Sequence, residues 1–352
     1  MEQAYARPSA SGGIFAKTSP RRRASQSCER GSKMIILDYD NVDSLQVLNL
    51  TLLALDLPLT PEYTAHLRRT DPRLFPCFTV NAMEGDEVLG VVGILRLPMI
   101  STGGREDVGG VWAVSTHPHH AGRGVASALL EEAHTRMRDA GLRFSMLLTE
   151  RHLKAHRLYQ QHGYVEMNVW AKALARWETA HQPTRLRAQP ASTALSESEG
   201  QGGYDFIEKI FEDIAGNYLG FAWRYKPFVR LRDRMNLDAI WIVRENNTPV
   251  GYIYARKEGP LLKTHIHVLR PDIDAVEAVA AIASKLQASY VQVGMSRPGD
   301  IARFQHAGWQ VTYPNWASFM VKPLLPEVTT GDARRLFGIG TDRFLISLLD
   351  VT

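Results

Sequence analysis

The stretch VSTHPHHAGRGVASALLEEAH, Val114 to His134, decides how this chain reads. An extended run ends in three histidines around Pro118, passes through Ala121, Gly122, Arg123 and Gly124, and becomes an apolar pattern at helical spacing. Glycine at a strand-to-helix junction has a physical use. The first helical amides lack intrahelical acceptors, the positive end of the helix dipole points outward, and a missing side chain lets an anion reach them. Arg123 adds positive charge and Ser127 a hydroxyl. The turn has neither the Gly-Lys-Ser/Thr ending of a nucleotide P-loop nor the third glycine of a dinucleotide fingerprint. The residues alone leave two readings, a tight turn without a ligand and a cradle for a different phosphate compound.

The flanks of this stretch alternate helix and strand, which places the chain in the mixed α/β class. NVDSLQVLNLTLLAL and PEYTAHLRRT have helical spacing, and FTVNAM, EGDE, VLGVVGILRL reads as strand, turn, strand. GGVWAVST is a further strand, and the helix after the glycine turn stops at Gly141. FSMLLT, HLKAHRLYQQHG and VEMNVWAKAL follow as strand, helix and strand. The polar, Pro- and Ser-bearing residues 176–203 read as a linker, giving domains over 34–175 and 204–352.

The second part repeats the first in outline. AIWIVRENNTPVGYIYAR is again strand, turn, strand, and DAVEAVAAIASKL, YVQVGM and GDIARFQHAGW are helix, strand and a helix closing on glycine. Setting RLYQQHGY against IARFQHAGW places Phe304 opposite Tyr159, Gly308 opposite Gly163 and Trp309 opposite Tyr164. The closing segment DARRLFGIGTDRFLISLLDVT is apolar enough to pack against the rest of the protein.

The net charge of +4 is carried by residues 1–33, a Ser-, Arg- and Gly-rich tail expected to be disordered or to precede a true start at Met34. Without it 34 basic residues face 35 acidic ones, so no basic face for nucleic acid is expected. Two cysteines, Cys28 and Cys77, make no disulfide framework, and the longest apolar run is far short of the ~20 residues of a membrane span. A cytoplasmic protein without nucleic-acid or membrane partners is the expectation. The histidines His117, His119 and His120 raise a metal, but the intervening proline and the glycine turn work against convergent tetrahedral geometry, and no cysteine accompanies them.

Val114, Pro118, Gly124 and Ala126, followed by Leu158, Tyr159, Gly163 and Tyr164 in AHRLYQQHGYVEM, resemble the two motifs of the GNAT superfamily of acyl-CoA-dependent N-acetyltransferases. The resemblance covers Met34 to about Leu174, and the later half only in outline. It implies two GNAT-like domains, each a twisted mixed sheet flanked by helices, with a splayed cofactor cleft in the first. The cosubstrate would be acetyl-CoA and the acceptor a small-molecule or protein amine. The resemblance places the pyrophosphate on Gly122, Arg123, Gly124, Val125, Ala126 and Ser127, and the pantetheine arm along Val114, Ser115 and Thr116. Tyr159 becomes the proton donor to the CoA thiolate, although a helix aromatic packed in the core is the competing reading. Glu150, His117, a water relay or the carboxylate of Thr352 are candidates for the base. Two positions depart from the pattern: Ala121 stands where Gln or Arg opens the turn motif, and His152 where an Asn often contacts the cofactor arm. In the second copy Asp272 and Asp274 occupy the helix start, where they would repel a pyrophosphate, and Phe304 has no proton to give. The expected activity is therefore N-acetyl transfer by the first copy, with a non-catalytic acyl-CoA-binding regulator as the alternative.

Overall fold

The computed structural model describes residues 33–177, 185–196, 203–226, 237–313, 317–347 and Asp350. The basic tail up to residue 32, with Cys28, and the carboxylate of Thr352 lie outside the described residues. Met34–Thr352 form one compact unit. No described helix is long and apolar enough to cross a membrane.

The first half runs β1 (Ile35–Asp38), α1 (Ser44–Leu55), α2 (Pro61–Thr70), β2 (Leu74–Glu84), β3 (Glu87–Ser101), β4 (Gly104–Thr116), α3 (Val125–Asp139), β5 (Phe144–Thr149), α4 (Lys154–Gln161), β6 (Val165–Val169) and β7 (Ala171–Arg176). Local chemistry sets these limits. Asp43 caps α1 by accepting from the Leu45 amide, and Thr60 caps α2 just before Pro61. Gly141 and Gly163 take the left-handed conformation after α3 and α4. Then come β8 (Leu186–Pro190), α5 (Ala191–Ser196), α6 (Gly203–Ala215), β9 (Leu219–Gly220), β10 (Ile240–Glu245), β11 (Thr248–Glu258) and β12 (Leu261–Leu269). The chain ends with α7 (Ala275–Lys285), β13 (Tyr290–Met295), α8 (Pro298–His306), β14 (Gln310–Thr312), β15 (Ser318–Pro323), α9 (Thr330–Phe337) and β16 (Phe344–Leu345).

Two sheets carry the same order. The first runs β1-β2-β3-β4-β5-β15-β6, the second β8-β10-β11-β12-β13-β7-β14. Within each, the fourth and fifth strands pair in parallel and their other neighbours are antiparallel. The sixth place is exchanged: β7, from the first half, lies between β13 and β14, while β15, from the second half, lies between β5 and β6.

This exchange corrects two readings of the sequence. VEMNVWAKAL is not one strand; it breaks at Trp170, and its two pieces enter different sheets. Residues 176–203 are not wholly linker, because Leu186–Pro190 forms β8 on the edge of the second sheet. There Leu186 and Ala188 are buried while Arg187 is exposed, and polar residues on an edge strand conceal it from a composition-based reading. The two sheets are consequently not separable at residue 176.

The C-terminal segment packs as expected from its composition. Phe337, Ile339, Phe344 and Ile346 share one core cluster with Leu95, Leu97 and Met146 of the first sheet. A buried pair, Arg224 Nη2 to Asp350 Oδ1 at 2.9 Å, holds Asp350.

β15 contributes Met320 to the core beneath α3 and α4, and Phe319 and Val321 to the core on the opposite face. Each is buried, worth about 1.5–3 kcal/mol. Losing all three removes an amount comparable with the ~5–15 kcal/mol that stabilises a typical domain. The expected outcome is that pieces 34–180 and 181–352 fail to unfold cooperatively when made apart, yet co-purify and regain a single unfolding transition when made together. Cooperative unfolding of the isolated first piece would contradict the exchange.

Candidate active site

The site grows from the place where β4 and β5 part. Their parallel pairing covers only Gly109 with Ser145 and Gly110 with Met146. Beyond it β4 bulges, with Ala113 at φ 51° and Trp112 lying over Gly93, where a Cβ would meet the indole at 2.1 Å. On the β3 side the His117 amide donates to the Leu89 carbonyl at 2.8 Å. By strand alternation, Ser115 faces the same way, while Val114 and Thr116 turn their backbone polar groups to the open edge.

After a short 3-10 turn at Pro118–His120 the chain reaches Gly122 and Gly124, at φ 81° and 79°. Glycine is needed there for backbone conformation, since a Cβ at either position would meet nothing within 4 Å. Gly124 opens α3 without any side-chain cap. Among the described residues the amides of Gly122, Gly124, Val125, Ala126 and Ser127 have no acceptor. Unpaired donors at a helix N-terminus beside open space form an anion site. Gly90 lets α3 dock closely, because a Cβ there would lie 2.6 Å from Val125.

The charged residues around the turn are engaged. Arg123 donates from Nη2 to Glu84 at 2.9 Å and lies, through Nη1, 2.8 Å from His120 Nδ1, so its charge is shared with a carboxylate. His120 Nε2 is 2.9 Å from Glu87. Glu87, His117 and His120 bring ligand-type atoms within 4.8 Å of one another, but the adjoining Arg123 cation and the use of both His120 nitrogens set this trio against holding a metal ion. His117 Nδ1 accepts from the His119 amide at 3.3 Å.

At the end of β5, Glu150 faces His152, 3.1 Å away, and His152 is largely exposed. The fourth strand starts earlier than GGVWAVST and does hold carboxylates, Glu106 and Asp107. They stand on the far side of the paired residues from the splay, Glu106 held by Arg143 at 2.8 and 2.6 Å. Sequence reasoning missed Trp112, Glu84 and the Glu166 cluster. Glu166 on β6 binds Arg151 and Ser318 and lies 3.6 Å from His156 Nε2. No local spacing connects these residues, which are brought together by the sheet order.

Tyr159 faces the core from α4 and makes no side-chain hydrogen bond among the described residues. Burial pushes its phenol up to about 12. Its ring meets Tyr164 edge-on at 5.9 Å, and the Tyr164 amide donates to the Tyr159 carbonyl at 3.0 Å.

The second copy repeats this scaffold. Trp309 donates to the Phe304 carbonyl at 3.0 Å, their rings meet edge-on at 4.9 Å, and Gly308 is left-handed like Gly163. The chemistry differs, because Asp274 caps α7 by accepting from Val276 at 2.7 Å and Asp272 binds Arg270. The splay is also shorter. Leu142 and Ala288 make the same bond to the end of their helices, and each strand begins two residues later, at Phe144 and Tyr290. In that alignment β12 and β13 stay paired to Gly294, two residues beyond the point where β4 and β5 separate.

Residues 43–167 match the family model of the acetyltransferase (GNAT) domain. No curated protein matches the sequence at a significant level. Among solved structures, a GCN5-related N-acetyltransferase from Kribbella flavida is similar at 16% identity and a TM-score of 0.56, over 83% of this chain and 72% of that one. A conserved protein of unknown function from Enterococcus faecalis V583, described as a probable N-acyltransferase, aligns at 13% identity and 0.62, over 83% and 72%. A GCN5-related N-acetyltransferase from Anabaena variabilis ATCC 29413 aligns at 15% and 0.61, over 83% and 73%. At such identities the likeness is one of fold.

Gly124→Glu places a carboxylate among the free amides and forces a side chain into a left-handed position, a strain of about 1–2 kcal/mol. The expected result in equilibrium dialysis is loss of acetyl-CoA binding by a chain that still folds. Undiminished binding would move the phosphate site elsewhere.

Proposed function

We infer that this chain, which carries an acetyltransferase domain of the GNAT family over residues 43–167, transfers an acetyl group from acetyl-CoA to an amine at the first sheet's splay. The observation that carries the reading is the set of free amides of Gly122 and of Gly124 to Ser127 beside the open edge of β4. Those amides suit a pyrophosphate, and the outward polar groups of Val114 and Thr116 suit the amide-bearing arm of CoA.

In the reaction the amine nitrogen attacks the thioester carbonyl, a C–N bond forms, the C–S bond breaks, and the amine gives up a proton. Glu150 and His117, at the ends of the two diverging strands, are the groups we assign to receive that proton. Tyr159 donates its hydroxyl hydrogen to the departing thiolate. A buried phenol with a pKa of about 12 is still protonated throughout the neutral range, so the donor is always present. The second copy has a carboxylate, Asp274, capping its helix start and a phenylalanine at the tyrosine position, so we assign the reaction to the first sheet.

A second reading, acyl-CoA binding without turnover, is favoured by Ala121 in the turn motif and by the pairing of Arg123 with Glu84. Thiol release on a panel of amines separates the two. Tyr159→Phe is expected to lower kcat about 10²-fold with acetyl-CoA binding unchanged. The wild-type rate should show no fall below pH 10 that Tyr159→Phe abolishes, because the donor deprotonates only near pH 12. A wild-type rate in the variant, or such a fall near pH 8–9, would remove Tyr159 from the acid role.

A further inference from the structure

Four side chains brought together by the fold form one polar chain behind Tyr159, with His134, Tyr164 and Ser145 buried and Lys322 half-buried. Lys322 Nζ lies 3.1 Å from His134 Nδ1, His134 Nε2 lies 2.9 Å from the Tyr164 hydroxyl, and that hydroxyl lies 2.6 Å from Ser145 Oγ. An ammonium only donates, so Nδ1 of His134 accepts and the imidazole hydrogen is on Nε2. The chain then runs in one direction, Lys322 to His134 to Tyr164 to Ser145. It also closes on itself, since Ser145 of β5 is the register partner of Lys322 on β15. Burial, with the Lys322 charge second, holds the His134 imidazole down to about 3, which keeps it neutral and able to accept. Glu131 and Arg138 also act on the Lys322 charge.

The second copy shows what the fold alone requires at these places. Matching Tyr164 to Trp309, Phe144 to Tyr290 and Met137 to Ala283 puts Val291 opposite Ser145, Ala175 opposite Lys322 and Ala280 opposite His134. Val291 and Trp309 belong to a hydrophobic core, and Ala175 and Ala280 pack against it. The scaffold is therefore built with three aliphatic side chains and an indole at these positions, with none of the hydroxyl, imidazole or ammonium groups of the first copy. At these positions the polar chain belongs to the copy that also has the uncapped helix start and the tyrosine. Buried polar networks give little net stability but fix orientation when every member is satisfied.

We propose that Lys322, delivered by the exchanged strand β15, is a positioning residue for acyl transfer, fixing Tyr164 through His134 and thereby the helix end and ring that orient Tyr159. The assignment rests on the transfer reading above for its kinetic consequence, while its geometric consequence is independent of turnover. It gives the second half a task in the first site: it supplies the residue that aligns the donor.

The test uses the full chain labelled with 3-fluorotyrosine, the Tyr159 resonance being assigned by its loss in Tyr159→Phe. One sharp Tyr159 signal is expected in the wild type, broadened or split in Lys322→Met and restored in Lys322→Arg. Tyr164→Phe, which cuts the chain while keeping the ring, should act like Lys322→Met and serves if that variant folds poorly. Nitrogen-15 spectra of the imidazoles should show His134 with hydrogen on Nε2. Where thiol release is measurable, Lys322→Met should lower kcat about 10-fold with KM for acetyl-CoA unchanged. An unchanged Tyr159 signal in both variants, an Nδ1-protonated His134, or a wild-type kcat in Lys322→Met would overturn the proposal. Absence of thiol release in the wild type would count against the transfer reading, leaving the two spectra to decide the positioning.

Discussion

The exchange of one strand between two sheets is the constraint on which the rest of the structure depends. β5 pairs with β4 over only two residues before the strands part, so its other edge must carry much of the burden of holding it in the sheet. β15 does this over six register pairs, Ser318–Pro323 against Thr149–Phe144. A cleft is thus kept open on one side of β5 because a strand from elsewhere in the chain secures the other. In return β7 secures β13. Neither half completes its sheet alone, and the residues of β15 fill cores on both faces of the first sheet.

The two copies differ in how far their central strands separate and in what begins the following helix. In the first, the strands part early, a bulge turns β4, and two left-handed glycines leave amides without acceptors. In the second, the strands stay paired longer and an aspartate caps the helix start. A carboxylate and a pyrophosphate compete for the same positive helix end, so the presence of one disfavours the other. The same scaffold therefore supports one anion site and one closed copy.

Much of this was legible in the sequence because it is local. The glycine turn, the caps of the helices, the hairpins and the match of Tyr159, Gly163 and Tyr164 to Phe304, Gly308 and Trp309 all depend on residues within one or two elements. The backbone bond shared by Tyr164 and Trp309 gives that match a physical basis. What remained hidden is nonlocal. Trp170 breaks a continuous-looking strand because its two sides pair with partners more than a hundred residues away. β8 reads as linker because an edge strand can be polar. Lys322 has no neighbour in sequence to mark it; only the register with Ser145 and the approach of α3 bring it to His134. Arg123 looked like a free cation beside the phosphate turn, and Glu84, on the preceding hairpin, is what engages it.

The most direct measurement of the central claim is the stoichiometry of acetyl-CoA binding by calorimetric titration into the full chain. The account predicts one site per chain, since the first copy has an uncapped helix start beside strands that part early, whereas in the second the Asp274 carboxylate caps the helix start and the strands stay paired longer. Two sites per chain, or none in a well-folded protein, would contradict it.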